Sequence, residues 1–428
     1  MITNEDILHF VWKTRQFNQN NLTTTHNETI RIISPGWHNH DQGPDFINAK
    51  IAIGNTIWAG NVEIHIKSSD WLHHGHQHDP NYRNVILHVV YEHDQEIEHL
   101  IGCPTLQLKG RIPRMVLQKY ACLQESSNDI VCGPYLNREI RSYFSLFWDS
   151  WIIERWQRKI KEKQKFNDII KNDWQHLFQI FLFDSFGFGI HKSNMELLGL
   201  SIPPKVLSNH KDNLLQLEAI LFGMAGFLNE DAVDSYQLRL IKEFEFLKSK
   251  WKLNPPTIQW KFSRTRPANF PTIRLAQLAA LYHSSQGLLS IVNNPDKIYK
   301  NIFELFSFKV SEYWQQHYHF GKKFGQNKNF QFKLSADSAG KIISNALLPF
   351  LFYYADQLNM PELKESILTI PEKIKPEKNK ITAKWLSLGV ANQNQLHSQA
   401  LMELYNNYCV HKKCTSCKIG NKILSSTT

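Results

Sequence analysis

The sequence predicts an α/β module, with a small mixed sheet flanked by helices, followed by a mainly α-helical part. Apolar and polar residues alternate in several segments of residues 1–130, whereas from residue 131 onward apolar residues recur at three- and four-residue spacings. The charge also changes: residues 1–130 carry 10 Lys and Arg against 14 Asp and Glu, and the remainder has a net charge of +14. We therefore predict two domains, residues 1–130 and residues 131–428.

The composition is that of a folded protein, because 42% of the residues are hydrophobic and 12% are aromatic. No run of 18 apolar residues is present, so we expect no membrane span. The start, MITNEDILHFVWK, is acidic and its apolar positions are interrupted, unlike a secretory signal. Six cysteines, three of them near the end, favour a reducing, cytoplasmic location over a disulfide framework.

The elements of the first domain follow from turn residues and periodicity. Pro35-Gly36 and Gly54-Asn55 mark turns, and the segments between such turns are rich in β-branched and alternating residues. The predicted order is a helix at residues 4–16, strands at 29–34, 46–53 and 56–67, a polar, partly helical link at 68–78, and strands at 84–91 and near 100–108.

One face of the third predicted strand carries a carboxylate, an imidazole and an ammonium group. Glu63, His65 and Lys67 alternate with apolar residues, so their side chains share a face. Asp45 follows a Gly-Pro just before the preceding strand, and we expect it to lie beside Glu63. Two carboxylates suit Mg²⁺ or Mn²⁺, and an imidazole among the ligands shifts the preference toward Mn²⁺ or Zn²⁺.

The catalytic interpretation of this face assigns a role to each residue. Asp45 and Glu63 are the predicted metal ligands, and His65 or Lys67 would orient or deprotonate water. An acid of the first helix, Glu5 or Asp6, could join them. The alternative is a polar strand face with ordinary solvated charges.

This arrangement resembles the PD-(D/E)XK nuclease superfamily. Pro44-Asp45 and Glu63 match its motif, and the resemblance implies a restriction-endonuclease-like fold in which the acidic residues hold Mg²⁺ and a lysine activates water. His65 stands where the lysine is expected, and Lys67 is a possible substitute two residues later. The departure raises the question of whether the site is catalytic.

A second resemblance covers nearly the whole chain. The segments GPDF, GNVEIHIKSSDW, HGH, VILHVV, EAILFGMAG, TRPANFPTIRLAQLA and the cysteine pattern near the end are similar to a bacterial family of proteins with a domain of unknown function. This resemblance supports the domain plan and implies no particular chemistry.

Five histidines lie in or after the link that follows the third strand. A structural zinc site commonly has wider spacing, so His73, His74, His76 and His78 could be surface residues or could contact phosphate near the metal. His88 lies between apolar residues of the next strand, and we expect it to be a buried histidine.

The helical part contains a possible phosphate clamp. Arg264 and Arg266 precede a helix that Pro271 is suited to begin, and Arg274 lies on that helix. The alternative is a structural strut in which these arginines pair with carboxylates or carbonyls. Helices are predicted at residues 138–165, 173–188, 213–227, 236–250, 271–289 and 339–354.

The end of the chain carries a metal-ligand pattern. Cys409, Cys414 and Cys417 have the spacing of a [4Fe–4S] cluster or a Zn²⁺ site. The fourth ligand is favoured to be Cys132, which begins the helical part. Its alternatives are Cys103, Cys122 and His411.

Together these features predict a metal-dependent, nuclease-like protein that hydrolyses phosphodiester bonds in nucleic acid. The alternative function is a non-catalytic nucleic-acid-binding or scaffold protein that retains an inactive nuclease fold. The basic helical part suits the binding of a polyanion in either case, although an ordinary basic protein would have the same charge.

Overall fold

The computed structural model describes residues 4–97, 103–228, 231–285, 302–324 and 334–426. The chain forms two compact units. Unit 1 comprises Met1–Phe147 and Leu404–Thr428, and unit 2 comprises Trp148–Glu403. The C-terminal segment thus belongs to the same unit as the sheet, whereas the sequence analysis grouped it with the helical part.

The described strands are β1 Ile30–Ser34, β2 Trp37–His38, β3 Phe46–Ile53, β4 Thr56–Lys67, β5 Val85–Glu92, β6 Thr105–Gln107, β7 His317–His319 and β8 Lys322–Lys323.

The described α-helices are α1 Asp6–Thr14, α2 Asp70–His73, α3 Arg114–Glu125, α4 Arg138–Tyr143, α5 Trp148–Gln164, α6 Asn167–Ile170, α7 Trp174–Phe186, α8 Lys192–Ser201, α9 Pro204–Asn209, α10 Leu214–Met224, α11 Ser235–Trp251, α12 Pro271–Ser284, α13 Glu312–Gln316, α14 Ala336–Ile342, α15 Leu348–Gln357, α16 Pro361–Thr369, α17 Lys380–Ser387, α18 Gln395–Leu404 and α19 Lys418–Ser425.

Unit 1 is built on a mixed sheet with strand order β1-β3-β4-β5-β6, and β2 pairs with β3. The β1–β3, β2–β3 and β3–β4 pairs are antiparallel, whereas β4–β5 and β5–β6 are parallel. The link that contains α2 allows β5 to return parallel to β4, because parallel neighbours need a crossover connection. The predicted mixed sheet is confirmed, and so is the predicted order of its elements.

The strands pack as their patterns predict. Every residue from Val85 to Val90 in β5 is buried, as expected of a strand with parallel neighbours on both sides. Near the N-terminus, α1 packs against β4 and β2. Its buried residues are Ile7, Leu8, Phe10, Val11 and Trp12. These contacts bring the start of α1 to the polar part of the sheet.

Helices α3, α4 and α19 hold the C-terminal segment in unit 1. Helix α19 packs against α3 and α4. The Lys119 ammonium donates to the carbonyl of Ser426 at 2.7 Å, and the Gln124 amide donates to the carbonyl of Lys412 at 3.0 Å. These bonds tie α3 to the cysteine-containing segment at Lys412 and to the end of α19 at Ser426.

Unit 2 is helical around one large apolar core. Helices α7, α10 and α12 are buried on nearly all sides, and α8, α11 and α15 lie among the helices around them. A helix that is apolar all round must be covered by its neighbours, which explains why these three are central. No helix in the described part of the chain has the length and apolar character needed to cross a membrane.

The predicted helices of this part are largely confirmed, with two breaks. The segment predicted as one helix at residues 138–165 is divided by a 3₁₀ turn at Phe144–Leu146 and by Phe147, whose φ is −134°. The break lies at the boundary between the two units, since Phe147 ends the first segment of unit 1 and Trp148 begins unit 2. A π-helical turn, Ile343–Leu347, interrupts the helix predicted at residues 339–354. Residues 286–289 of the predicted α12 segment, and residues 100–102 of the last predicted strand, lie outside the described residues.

One buried acid in unit 2 makes stability depend on pH. Glu218 on α10 is fully buried, and burial raises the pKa of its carboxyl from 4.5 to about 7, although the Tyr236 hydroxyl donates a hydrogen bond to Oε2. In the folded state the proton is therefore held to higher pH than in the unfolded chain. The contribution of Glu218 to stability is greatest below pH 4.5 and is lost as the pH rises toward 7.

We predict that Glu218→Gln removes this loss. Relative to the variant, the parent protein should lose up to about 3 kcal/mol of unfolding free energy between pH 4.5 and 7, because each pKa unit is worth about 1.4 kcal/mol. Urea unfolding across this range measures the difference. Glu245→Gln, an exposed position on α11, is the control. Parallel pH profiles for the parent and Glu218→Gln would show that the carboxyl is not protonated when folded.

Candidate metal centre

The two predicted carboxylates lie side by side in unit 1. The antiparallel register of β3 and β4 pairs Phe46 with Val62, which places Asp45 beside Glu63. The backbone N–H of Asp45 donates to Glu63 Oε2 at 3.0 Å, and the backbone N–H of Ile64 donates to Asp45 Oδ2 at 2.9 Å. Each carboxylate is thus oriented by the main chain next to the other.

His65 lies on the same side of β4 as Glu63. Its Nε2 is 3.6 Å from Glu63 Oε1, and the exposed fractions of His65 and Glu63 are 1% and 5%. The alternation of side chains along the strand therefore brings these two residues together, as predicted from their spacing. Two buried polar groups of this kind require partners, because leaving them unpaired is costly.

The link after β4 adds two more histidines. His65 Nε2 lies 3.1 Å from His74 Nδ1, and His76 Nε2 lies 3.3 Å from Glu63 Oε1. One ring nitrogen from each of His65, His74 and His76 falls within 4.8 Å of the others. Gly75, between the last two, has φ +74°, a conformation that favours glycine, and it turns the chain so that both neighbours face the sheet.

A network of hydrogen bonds holds this link in place. Asp94 accepts hydrogen bonds from the backbone and hydroxyl of Ser69 and from the hydroxyl of Ser68. Burial tends to raise the pKa of Asp94, but these hydrogen bonds outweigh that effect and lower it to about 2. The carboxylate is therefore charged at neutral pH and fixes the start of the link.

His88 contacts the ring nitrogen of His65 that does not face His74 and Glu63. The ring of His88 is fully buried on β5, as the sequence predicts, and its Nε2 lies 2.9 Å from His65 Nδ1. With His65 Nδ1 donating to His88, the lone pair of His65 Nε2 points toward His74 and Glu63. Burial and the neighbouring histidines lower the pKa of His65 to about 2, so its ring is neutral at physiological pH and free of a charge that would repel a cation.

Helix α1 closes the acidic side of the cluster. His9 Nε2 lies 3.2 Å from Asp45 Oδ2. Burial lowers the pKa of His9, but the hydrogen bond and charge of Asp45 raise it overall; burial and the charge of Asp45 raise the pKa of Glu5. Glu5 was predicted as a possible member of this site, whereas His9 was not. The spacing of the two residues could have indicated His9, since residues four apart on a helix share a face.

The other polar residues of this region lie outside the cluster. Lys67 is exposed at the end of β4, and its ammonium is not within ion-pair distance of Asp45 or Glu63, both of which the structure describes. His78 is exposed, and the side chain of His73 is 71% exposed, with Nδ1 3.4 Å from Asp70.

The donor set fits a divalent transition metal. Ligand atoms around a tetrahedral zinc at 2.0–2.1 Å lie about 3.3 Å apart, and the separations of 3.1, 3.3 and 3.6 Å within the cluster are close to this value. His76 Nε2 is buried and makes no well-aligned hydrogen bond to the described residues, although Glu63 Oε1 lies 3.3 Å away. A cation between the two atoms would satisfy both.

Four cysteines form a second group in unit 1. Cys132, Cys409, Cys414 and Cys417 are all buried. Burial raises the pKa of the Cys132 thiol above its usual range, and the nearby Cys417 and Cys414 raise it further. Burial likewise raises the pKa of Cys409, with contributions from Cys132, Cys417 and Cys414. The four buried thiols therefore interact electrostatically with one another.

Of the predicted fourth ligands, Cys132 is the one that the structure places with the tail. Cys122 and His411 are exposed, and Cys103 lies near His88. The turn itself is tight: the backbone N–H of Cys417 donates to the carbonyl of Cys414 at 3.3 Å. A Cβ at position 420 would clash with the Cys414 carbonyl, so a glycine is needed there.

The three arginines predicted as a possible phosphate clamp separate into two kinds. Arg264 and Arg266 are exposed in the stretch that leads to α12, and Arg264 has φ +60°. Arg274 is buried: its guanidinium donates to Gln277 and Asn269 and lies 4.1 Å from the ring centre of Phe188. These contacts match the structural strut considered above rather than a phosphate contact.

Comparison with known proteins completes the description. No curated protein and no solved structure matched the chain. One family model matches residues 5–380, which include the complete histidine–carboxylate cluster and end before the clustered cysteines of the tail. The chain belongs to the family described as "Protein of unknown function (DUF2851)".

Proposed function

We propose that unit 1 hydrolyses phosphodiester bonds in nucleic acid with a divalent metal held by His65, His74, His76 and Glu63. The observation that carries the proposal is the convergence of three imidazole nitrogens within 4.8 Å beside two main-chain-oriented carboxylates. Of these groups His65 and Glu63 are buried, His76 is partly buried and His74 is exposed. Polar groups that converge at the edge of a buried site in this way are characteristic of functional sites.

The ligand chemistry narrows the choice of metal. The sequence predicted Mg²⁺ or Mn²⁺ on Asp45 and Glu63, but Mg²⁺ prefers oxygen ligands and imidazole suits softer ions. Three imidazoles therefore favour Mn²⁺ or Zn²⁺. Such a cation lowers the pKa of water and neutralises charge on a phosphate oxygen.

The protein groups around the cation have distinct tasks. Glu63 is held through Oε2 by the backbone of Asp45, which leaves Oε1 directed toward His65 and His76. The Asp45 side chain is 23% exposed and is held by Ile64 and His9, so it presents a fixed acid at the open edge of the cluster. Asp45 would position a water or a second ligand for the phosphate.

The arrangement of the sheet supports a nuclease. An acid before one strand and a second acid on the next strand of a small mixed sheet are what the PD-(D/E)XK resemblance implies. The exposed Arg264 and Arg266 and the charge of residues 131–428 support nucleic acid as the partner. His65 in place of the lysine keeps the non-catalytic alternative open to test.

We predict metal-dependent cleavage that requires His74. Purified protein with Mn²⁺ or Zn²⁺ should cut labelled nucleic acid, and His74→Ala should lower the rate at least about 100-fold, because the metal loses a ligand. His73→Ala is the matched control, since this adjacent histidine is exposed and outside the cluster. Asp45→Asn should also abolish cleavage.

Two results would contradict this proposal. One is equal activity in the His73 and His74 variants, which would point to a contaminant or to another site. The other is an absence of cleavage with every divalent metal while nucleic acid is still bound, which would support the non-catalytic alternative.

We also propose that Cys132, Cys409, Cys414 and Cys417 hold a [4Fe–4S] cluster or Zn²⁺. The support is the shared burial of four thiols from two distant segments, which would repel one another as thiolates unless a cation were bound. A bond between residue 132 and the tail would make the cofactor part of the stability of unit 1.

Metal analysis of protein prepared without oxygen tests this second proposal. Iron with acid-labile sulfide identifies a cluster, and stoichiometric zinc identifies a structural site. Cys414→Ser should remove the metal and lower the Tm, whereas Cys122→Ser, at an exposed cysteine outside the group, should change neither. Metal-free protein with an unchanged Tm in Cys414→Ser would refute the proposal.

A further inference from the structure

A pocket of about 470 Å³ opens directly beside the metal centre. His76, one of the four proposed ligands, forms part of its wall together with Trp58, Trp71, Tyr82 and Arg83. We infer that this pocket holds one unpaired nucleotide of a single-stranded substrate, with its base on Trp58 and a phosphate near Arg83. The inference rests on the proposed function.

The wall next to the metal centre is rigid. The rings of His76 and Tyr82 stack with their centres 3.8 Å apart and an angle of 24° between their planes. Trp71 is buried and meets Tyr82 edge-on at 5.9 Å. Because His76 Nε2 also lies 3.3 Å from Glu63, the same side chain joins the pocket to the proposed catalytic groups.

Trp58 provides the accessible aromatic surface. It lies in the first, exposed part of β4 and is 45% exposed, unlike the buried Trp71. Two residues later, a Cβ on Gly60 would lie 2.7 Å from the carbonyl of Asn84, so only glycine allows β4 and the start of β5 to approach this closely. Asn84 and Val85, which this approach brings close to β4, line the pocket together with Trp58.

The charges of the pocket suit a phosphate at its outer side. Arg83 is exposed, and its guanidinium can donate two parallel hydrogen bonds to a phosphate. The carboxylate of Asp79, which also lines the pocket, accepts a hydrogen bond from the backbone of Asn81 at 2.9 Å and caps the following 3₁₀ turn. The Asp79 carboxylate is therefore held by the loop, and Arg83 supplies the guanidinium that a phosphate group would contact.

The volume of the pocket and the residues that line it favour an unpaired base over a base pair. A volume of about 470 Å³ lies in the range of small-molecule sites, which is too small for a duplex but sufficient for one nucleotide. A base in a duplex is stacked and paired, so it would have to be extruded before it could contact Trp58. In a single strand the base can rotate onto an aromatic ring at little cost.

Binding measured without catalysis tests this inference. The probe is a short fluorescein-labelled oligothymidylate, with a labelled duplex for comparison, and the His74→Ala protein is used in EDTA so that cleavage cannot occur. Adding Trp58→Ala to it should weaken single-strand binding about 10-fold, the usual effect of losing one base–aromatic contact, and leave duplex binding unchanged. Trp58→Phe should restore most of the affinity.

Arg83→Gln should weaken binding and reduce its dependence on salt, because one phosphate contact is lost. Trp37→Ala is the matched control: this tryptophan is 74% exposed on β2 and does not line the pocket. Equal losses for Trp37→Ala and Trp58→Ala, or equal losses for single strand and duplex, would overturn the inference.

The two proposals can fail separately. Binding that depends on Trp58 in a parent protein that never cleaves nucleic acid would reject the nuclease and retain the pocket. Cleavage that is lost in His74→Ala but has the same KM in Trp58→Ala would retain the nuclease and reject the pocket.

Discussion

The reciprocal hydrogen bonds between the Asp45 and Glu63 segments are the interaction on which the proposed site depends. Each carboxylate accepts an N–H from the strand that carries the other, so neither can rotate independently. Glu63 is nearly inaccessible to solvent, and burying a charged group requires compensation. His65 and His76 surround its second oxygen, and a cation would complete that compensation.

The framework of the site was predictable from the sequence because it depends on local patterns. Alternation along β4 placed Glu63 and His65 on one face, and the turn at Gly54-Asn55 set the antiparallel pair that brings Asp45 to Glu63. The burial of His88 also followed from its apolar neighbours on β5. These features depend on periodicity and turn chemistry, which single sequences carry well.

The parts that depend on loop conformation or on distant packing were not predictable. Four histidines lie close together in the sequence after β4. His74 and His76 face the sheet because of the left-handed turn at Gly75 and the hydrogen bonds from Ser69 to the carboxylate of Asp94, which the sequence pattern does not reveal. His9 reaches Asp45 because α1 packs on the sheet. The break after α4 reflects a boundary between two cores, which helical periodicity does not reveal.

Both proposed metal sites lie in unit 1, one beside the sheet and one at Cys132 and the C-terminal cysteines. The proposed function depends above all on a cation bound by the three histidines. Anomalous diffraction from crystals grown with Mn²⁺ would locate such a cation. We expect a peak in contact with His65 Nε2, His74 Nδ1 and a ring nitrogen of His76, with Glu63 adjacent. An ion held by carboxylates alone, or no ion in a folded cluster, would contradict the proposed function.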